Sequence, residues 1–168
     1  MGEIDIIEGV HNQGGNVMTM HKHPDGCACD PHTLQSGQTG HVRDPCSTCR
    51  ADMMSLHYSV YDARNSSYGS AKYRGGVYAM EWTPNAVKIW FFPRGQEPPD
   101  AICGIPSPET WGTPAYHMPM QQCGMASKFR QHRIVLNITF CGLWAGDPRV
   151  WHNAGWYGAP RTQRRNET

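Results

Sequence analysis

The chain has 168 residues, which is enough for one domain with a buried hydrophobic core. Only 17% of the residues are charged, whereas 18 glycines, 13 prolines and 6 tryptophans are present, a composition typical of an all-β domain rich in turns. The net charge of +1 argues against a nucleic-acid partner, and no run approaches the roughly 20 apolar residues that span a bilayer. We therefore expect neither nucleic acid nor a membrane as a partner.

Two strands are predicted near the start of the chain, at residues 3–8 (EIDIIE) and 16–21 (NVMTMH), because apolar and polar residues alternate there. The turn-rich GVHNQGG between them favours a hairpin. Residues 26–50 contain four cysteines and many turn residues without an apolar period, which predicts a long loop with no core of its own.

The segment GVYAMEWTPNAVKIWFFPR predicts a second hairpin, with strands at residues 77–82 and 87–92 around the turn TPNA. A proline-rich connection follows at residues 93–119. The segment HRIVLNITFCG then predicts a last strand with Ile134, Leu136, Ile138 and Phe140 on one face. Beyond Gly146 we find no period and predict no regular structure.

Three carboxylates lie close together in the first predicted strand, at Glu3, Asp5 and Glu8. In a regular strand Glu8 would face the apolar side together with Ile4 and Ile6, where burial of its charge is costly. One extra residue between Asp5 and Glu8, accommodated as a β-bulge, would place all three acids on one face. Two carboxyl groups about 5 to 5.5 Å apart serve as nucleophile and proton donor in retaining glycoside hydrolysis.

The stretch GEIDIIEGV resembles the active-site signature of glycoside hydrolase family 16, a Glu-x-Asp-x-x-Glu strand. The similarity extends in order over roughly residues 2–146 through MTMHKHPDGC, DARNSSYG, GGVYAMEWTPNAVKIWFFPR, PSPETWGTP and HRIVLNITFCGLWAG, which look like the fungal laminarinase-like branch. The resemblance implies a β-jelly-roll sandwich and a secreted, extracellular endo-glucanase that acts on β-1,3 or mixed β-1,3/1,4 glucan with retention. It implies no cofactor and no metal, and a monomer for the complete enzyme.

Carried over by position, the resemblance makes Glu3 the nucleophile and Glu8 the general acid and base, with Asp5 orienting the nucleophile between them. His21 would contact the sugar or an acid from the neighbouring strand, and Trp144 would be a stacking platform for a sugar ring. The family usually has an acid at the position of Leu143.

We assign residues 1–146 to a partial catalytic domain and residues 147–168 to an irregular tail that does not resemble the family. The family has on the order of 100 residues before the signature, which form strands of both sheets and part of the cleft. We therefore expect an incomplete sandwich, and we expect the 168-residue polypeptide by itself to show no glucanase activity. The start of the chain lacks the pattern of a signal peptide. Seven cysteines and the acceptor triplets at Asn65, Asn137 and Asn166 nevertheless suit a secreted protein.

Two alternatives remain open. One is a glucan-binding protein without turnover, which would keep Trp144. The other is a zinc module, because Cys27, Cys29, Cys46 and Cys49 have metal-like spacings with His21, His23, His32 and His41 nearby. The sequence does not determine how these four cysteines pair with one another or with Cys103, Cys123 and Cys141.

Overall fold

The computed structural model describes residues 2–11, 15–22, 37–45, 56–62, 75–121, 125–138 and 142–156. Seven strands form two antiparallel sheets. The strands are β1 (Glu3–Glu8), β2 (Asn16–Lys22), β3 (His41–Pro45), β4 (Leu56–Asp62), β5 (Gly76–Trp82), β6 (Ala86–Pro93) and β7 (Tyr116–Pro119). One sheet has the order β1-β2-β4-β3 and the other β5-β6-β7, so the predicted all-β class is confirmed.

The two sheets share one hydrophobic core. It consists of buried side chains from β2, β6 and β7 and from the segments that follow β7, and the largest are Met18, Met20, Ile89, Tyr116, Met118, Met120 and Met125. Ile4 and Ile6 of β1 pack against this cluster from one side. The apolar face of β1 is therefore seated on the core, which leaves its other face for the carboxylates.

Both predicted hairpins are confirmed, since β1 pairs with β2 and β5 pairs with β6 in antiparallel register. In the second hairpin the Thr83 hydroxyl accepts a hydrogen bond from the Ala86 amide at 3.1 Å, and the Thr83 amide donates to the Ala86 carbonyl at 2.9 Å. Lys88 forms an ion pair with Glu81 across the two strands at 2.9 Å. Side chains within the turn and across the ladder thus fix this register.

Three strands were not predicted. β3 lies inside the segment expected to be a loop, β4 follows it, and β7 lies inside the proline-rich connection. Before β3, the amides of Thr39 and Gly40 donate to the carbonyls of Pro114 and Ala115, so this segment runs beside the start of β7 before it joins the other sheet. The expectation that residues 26–50 have no strand was wrong because partners distant in sequence pair with this segment.

The predicted last strand was wrong for residues 133–138, which have no regular secondary structure and belong to neither sheet of the described residues. Ile134 and Leu136 are each 97% exposed and Ile138 is 89% exposed. An alternating pattern forms a strand only where another strand pairs with it, and none of the described strands pairs with this segment. Phe140 lies outside the described residues.

The described residues also contain four short helical elements: α1 (Pro99–Ile102), a 3₁₀ helix (Pro108–Thr110), α2 (Met125–Lys128) and α3 (Pro148–Asn153). The helix α3 corrects our expectation that residues 147–168 are irregular. Its signal is local, because the Asp147 side chain accepts from the amides of Arg149 and Val150 and Pro148 occupies the first turn. No helix among the described residues is long and apolar enough to cross a membrane.

The chain divides into two compact units. The first unit comprises Met1–Glu8 and Gly14–His132 and contains all seven strands. The second comprises Gly9–Gln13 and Arg133–Thr168, so the domain boundary that we set at residue 146 falls inside it. Within the second unit, His11 donates from Nε2 to the Ala145 carbonyl at 2.8 Å and packs edge-on against Trp151.

Candidate active site

The predicted β-bulge is present in β1. Asp5 pairs with Thr19 and Glu8 pairs with Val17, so three steps along β1 match two steps along β2. Ile7, which lies in this interval, has an exposed side chain. The extra residue resets the alternation, and the carboxylate of Glu8 interacts electrostatically with those of Asp5 and Glu3.

Asn16 at the start of β2 contacts the bulge from inside the protein. Its side chain is fully buried, its Nδ2 donates to the Ile6 carbonyl at 2.7 Å, and its Oδ1 accepts from the Glu8 amide at 2.9 Å. Asn16 was not among the residues predicted from the sequence. A usable signal exists, because asparagine is unfavourable in strands and an asparagine that opens one needs hydrogen-bond partners.

His21 lies opposite Glu3 on β2 and is paired with Asp5. Its Nε2 is 3.0 Å from Oδ2 of Asp5, and the hydrogen bond to this carboxylate is the main reason that the pKa of His21 is raised. Partial burial acts in the opposite direction, and the charges of Asp5, Glu3 and Glu8 add to the increase. Of the two predicted contacts of His21, sugar or acid, the structure contains the contact with the acid.

The pKa of Glu8 is raised above its ordinary value of 4.5. Burial is the largest cause, followed by the negative charge of Asp5, while His21 lowers the pKa and Glu3 raises it. A carboxyl group whose pKa is raised in this way keeps its proton to higher pH than a free glutamate, as a general acid requires. The same face therefore holds an exposed carboxylate, Glu3, and a half-buried, more basic carboxyl group, Glu8.

Glu3, Asp5 and His21 each offer one ligand atom, and these atoms lie within 4.8 Å of one another. Such a group could hold a divalent cation. The contact between His21 and Asp5 already satisfies two of its members without an ion.

The tryptophans differ in their surroundings. Trp144 lies in the turn before α3, in the second unit, and is 39% exposed. Trp90 is buried and donates from Nε1 to the Gly112 carbonyl at 3.0 Å, whereas Trp111 donates to Asp100 at 2.8 Å. Trp90 and Trp111 thus have structural partners in the first unit. Leu143, where the family usually has an acid, is fully exposed.

The zinc alternative rests on residues that mostly lie outside the described part of the chain, namely Cys27, Cys29, Cys46, Cys49, His23 and His32. Cys123, Cys141, Asn65 and Asn166 also lie outside it. Among the described residues, Cys103 is an exposed free thiol and Asn137 is exposed.

Comparison with known proteins identifies relatives over nearly the whole chain. The family model described as "XgeA-like, catalytic GH16 domain" matches residues 1–166, a range that includes the segment 147–166 which we had set apart. A probable endo-1,3(4)-beta-glucanase of Aspergillus fumigatus is 37% identical over 153 residues, which is 87% of this chain and 22% of that protein.

Solved structures of relatives are similar in fold. Laminarinase 16A from Phanerochaete chrysosporium, solved with 6-O-glucosyl-laminaritriose in donor and acceptor sites, has a TM-score of 0.77 and 34% identity, covering 95% of this chain and 54% of that one. A family 16 beta-1,3-glucosyltransferase has a TM-score of 0.70 and 36% identity, covering 86% and 47%. These neighbours confirm the jelly-roll fold. The chain spans about half the length of these structures and about a fifth of the Aspergillus fumigatus relative.

Proposed function

This chain belongs to glycoside hydrolase family 16, and from that membership we propose that β1 carries the reacting carboxylates of an endo-1,3(4)-β-glucanase. The observation that carries the proposal is the bulge between Asp5 and Glu8, since it gathers an exposed carboxylate and a carboxyl group of raised pKa on one strand face. This combination is what retaining glycoside hydrolysis needs.

The residues have distinct proposed roles. The Glu3 carboxylate attacks the anomeric carbon while Glu8 gives its proton to the leaving glycosidic oxygen, which forms a glycosyl ester on Glu3. Glu8, now ionised, then takes a proton from a water that attacks the same carbon and frees Glu3. Asp5, held by His21 at 3.0 Å, orients the site and raises the pKa of Glu8 by its charge.

The proposed substrate is a β-1,3 or mixed β-1,3/1,4 glucan. The relatives support this assignment, because one is named a probable endo-1,3(4)-beta-glucanase and another was solved with laminarin-type oligosaccharides. Trp144 is proposed as a sugar-stacking side chain, because it has an exposed aromatic face. The fungal relatives also support an extracellular, secreted enzyme, with residues 1–146 as part of its catalytic domain.

Because we expect no glucanase activity of the 168-residue chain by itself, the test is covalent trapping of the nucleophile, which requires only that Glu3 attack an activated glycosyl fluoride and does not depend on turnover of a polymer. The chain is incubated with a 2-deoxy-2-fluoro-β-laminaribiosyl fluoride, whose fluorine at C2 slows hydrolysis of the ester, and its peptides are analysed by mass spectrometry. We expect a glycosyl adduct on the peptide that contains Glu3 and no adduct in Glu3→Gln. Glu109→Gln, at an exposed glutamate of the 3₁₀ helix, is the matched control and should be labelled like the wild type. An adduct on another residue, or none, would contradict the proposal.

A second candidate reaction is transfer of the glycosyl group to another sugar, supported by the similarity to the family 16 beta-1,3-glucosyltransferase. The covalent intermediate is the same, and only the attacking hydroxyl differs. The rate at which the trapped sugar is released from Glu3 would separate the two reactions. Added laminaribiose should speed the release strongly in a transferase and only slightly in a hydrolase.

A further inference from the structure

The side chain of Asn16 replaces the strand pairing that the bulge removes. In β1 the residues between Asp5 and Glu8 outnumber their partners on β2 by one, so part of the ladder is interrupted there. The Ile6 carbonyl accepts from Nδ2 of Asn16 at 2.7 Å, and the Glu8 amide donates to Oδ1 at 2.9 Å. The side-chain amide of Asn16 thus binds the backbone on both sides of the exposed Ile7, at the Ile6 carbonyl and at the Glu8 N–H.

The chemistry of this contact is specific for asparagine. A side-chain amide carries a donor and an acceptor in one plane, like a peptide group. An ionised aspartate would accept from Glu8 but repel the Ile6 carbonyl, leucine would satisfy neither group, and glutamine is one methylene longer in a site with no exposed surface. The next residues of β2, Val17 and Met18, are buried apolar side chains, so Asn16 is a polar group placed at the edge of a hydrophobic core.

We propose that Asn16 is a positioning residue that fixes the bulge in its phase and thereby holds Glu8 on the face of Glu3 and Asp5. That Asn16 thereby places the proton donor rests on the proposed function, whereas the statement that Asn16 fixes the bulge does not. Without the amide, the Ile6 carbonyl and the Glu8 amide lose the two hydrogen bonds that fix the chain on either side of Ile7. The position of Glu8 beside Asp5 is then less firmly fixed.

Amide hydrogen exchange measured by NMR on the full 168-residue chain tests this inference without turnover. In Asn16→Leu we expect the Glu8 amide to exchange about tenfold or more faster relative to the amides of β6, because its hydrogen bond is lost locally. The matched control is Met20→Ala on the same strand, whose buried side chain belongs to the shared core and whose backbone pairs with Ile4, before the bulge. This control should speed exchange in both sheets, which share that core, so the ratio of Glu8 to β6 should not change.

If Asn16→Leu does not fold, the variant Asn16→Asp tests the same role of the side chain. In Asn16→Asp a protonated carboxyl group can donate to Ile6 and accept from Glu8, whereas the ionised form cannot donate. The hydrogen bond to the Ile6 carbonyl, followed by the carbon-13 shift of that carbonyl, should therefore approach the wild-type state at low pH and be lost as the pH rises. An unchanged exchange ratio in Asn16→Leu, or an Ile6 carbonyl shift in Asn16→Asp that is independent of pH, would overturn the inference. Absence of trapping at Glu3 in the wild type would contradict the proposed function and leave the exchange result intact.

Discussion

Glu8 is the residue whose environment decides the chemistry of the site. It ends β1 after the bulge, it is half-buried, and its carboxyl group faces the charges of Asp5 and Glu3. Burial and these charges penalise its ionised form, which suits a proton donor but costs stability at neutral pH. Function and stability therefore oppose each other at this position.

We predict that Glu8→Gln raises the melting temperature of the chain at pH 7 by a few degrees. The pKa of Glu8 is higher in the folded state than in the unfolded chain. Between pH 4.5 and that raised pKa the folded state therefore binds more protons than the unfolded state, and its stability falls as the pH rises. The stability contributed by the neutral carboxyl group is lost over this window, and a neutral glutamine avoids the loss. Circular dichroism melts at pH 7 and pH 3.5 check this, with Glu109→Gln as the control at an exposed glutamate. An equal effect of Glu8→Gln at both pH values would contradict the explanation.

At this scale the sequence predicted the bulge and the contact of His21 with an acid. The spacing of Glu3, Asp5 and Glu8 favoured a bulge because a regular strand would bury the charge of Glu8, and the resemblance pointed to His21. Neither the spacing nor the resemblance revealed Asn16, whose partners are backbone groups of Ile6 and Glu8. Its one signal was an asparagine at the start of a strand, which does not say which groups it binds.

Among the elements, the two hairpins were predicted and β3, β4 and β7 were not. A hairpin is encoded by a short turn and adjacent alternation, as in the TPNA turn between β5 and β6, where Thr83 bonds Ala86. β3 instead pairs with β4 across residues 46–55, and β7 pairs with β6 across residues 94–115. Pairing at that distance depends on the whole core, which local patterns do not specify.

We predict that Gly76→Ala destabilises the β5–β6 hairpin by about 1–3 kcal/mol. A Cβ at Gly76 would overlap the Phe92 carbonyl on the paired strand and lie 2.7 Å from the Phe91 ring. Urea unfolding followed by tryptophan fluorescence measures the change. The neighbouring Val77→Ala, at a side chain that is 41% exposed, should cost clearly less, and equal costs for the two variants would show that no close approach exists.

On the scale of the whole molecule, the most exposed apolar run among the described residues is the segment 133–138. It presents Ile134, Val135, Leu136 and Ile138 at exposures of 73% to 97%, which is an apolar run without a partner strand among the described residues. Exposed β-type runs of this kind favour association with other chains. The alternation in this segment predicted a strand, but alternation does not specify which strand it would pair with.

We predict that the isolated chain self-associates through this segment and that the double variant Ile134→Lys, Leu136→Lys reduces the association. Light scattering after size exclusion should show the average mass moving toward that of one chain. The melting temperature should not fall, because both side chains are 97% exposed. Ile105→Lys, at an isolated isoleucine that is 75% exposed, is the control and should leave the mass unchanged. Equal effects of the double variant and the control would contradict the prediction.

The bulge brings Glu8 into the electrostatic field of Asp5, Glu3 and His21, and carbon-13 NMR titration of the Glu8 carboxyl group measures the effect of that field. We predict a pKa above 4.5 in the wild type, a lower pKa in Asp5→Asn because a negative charge is removed, and a higher pKa in His21→Gln because a positive charge is removed. A Glu8 pKa at or below 4.5 that neither variant changes would show that Glu8 does not lie in this field.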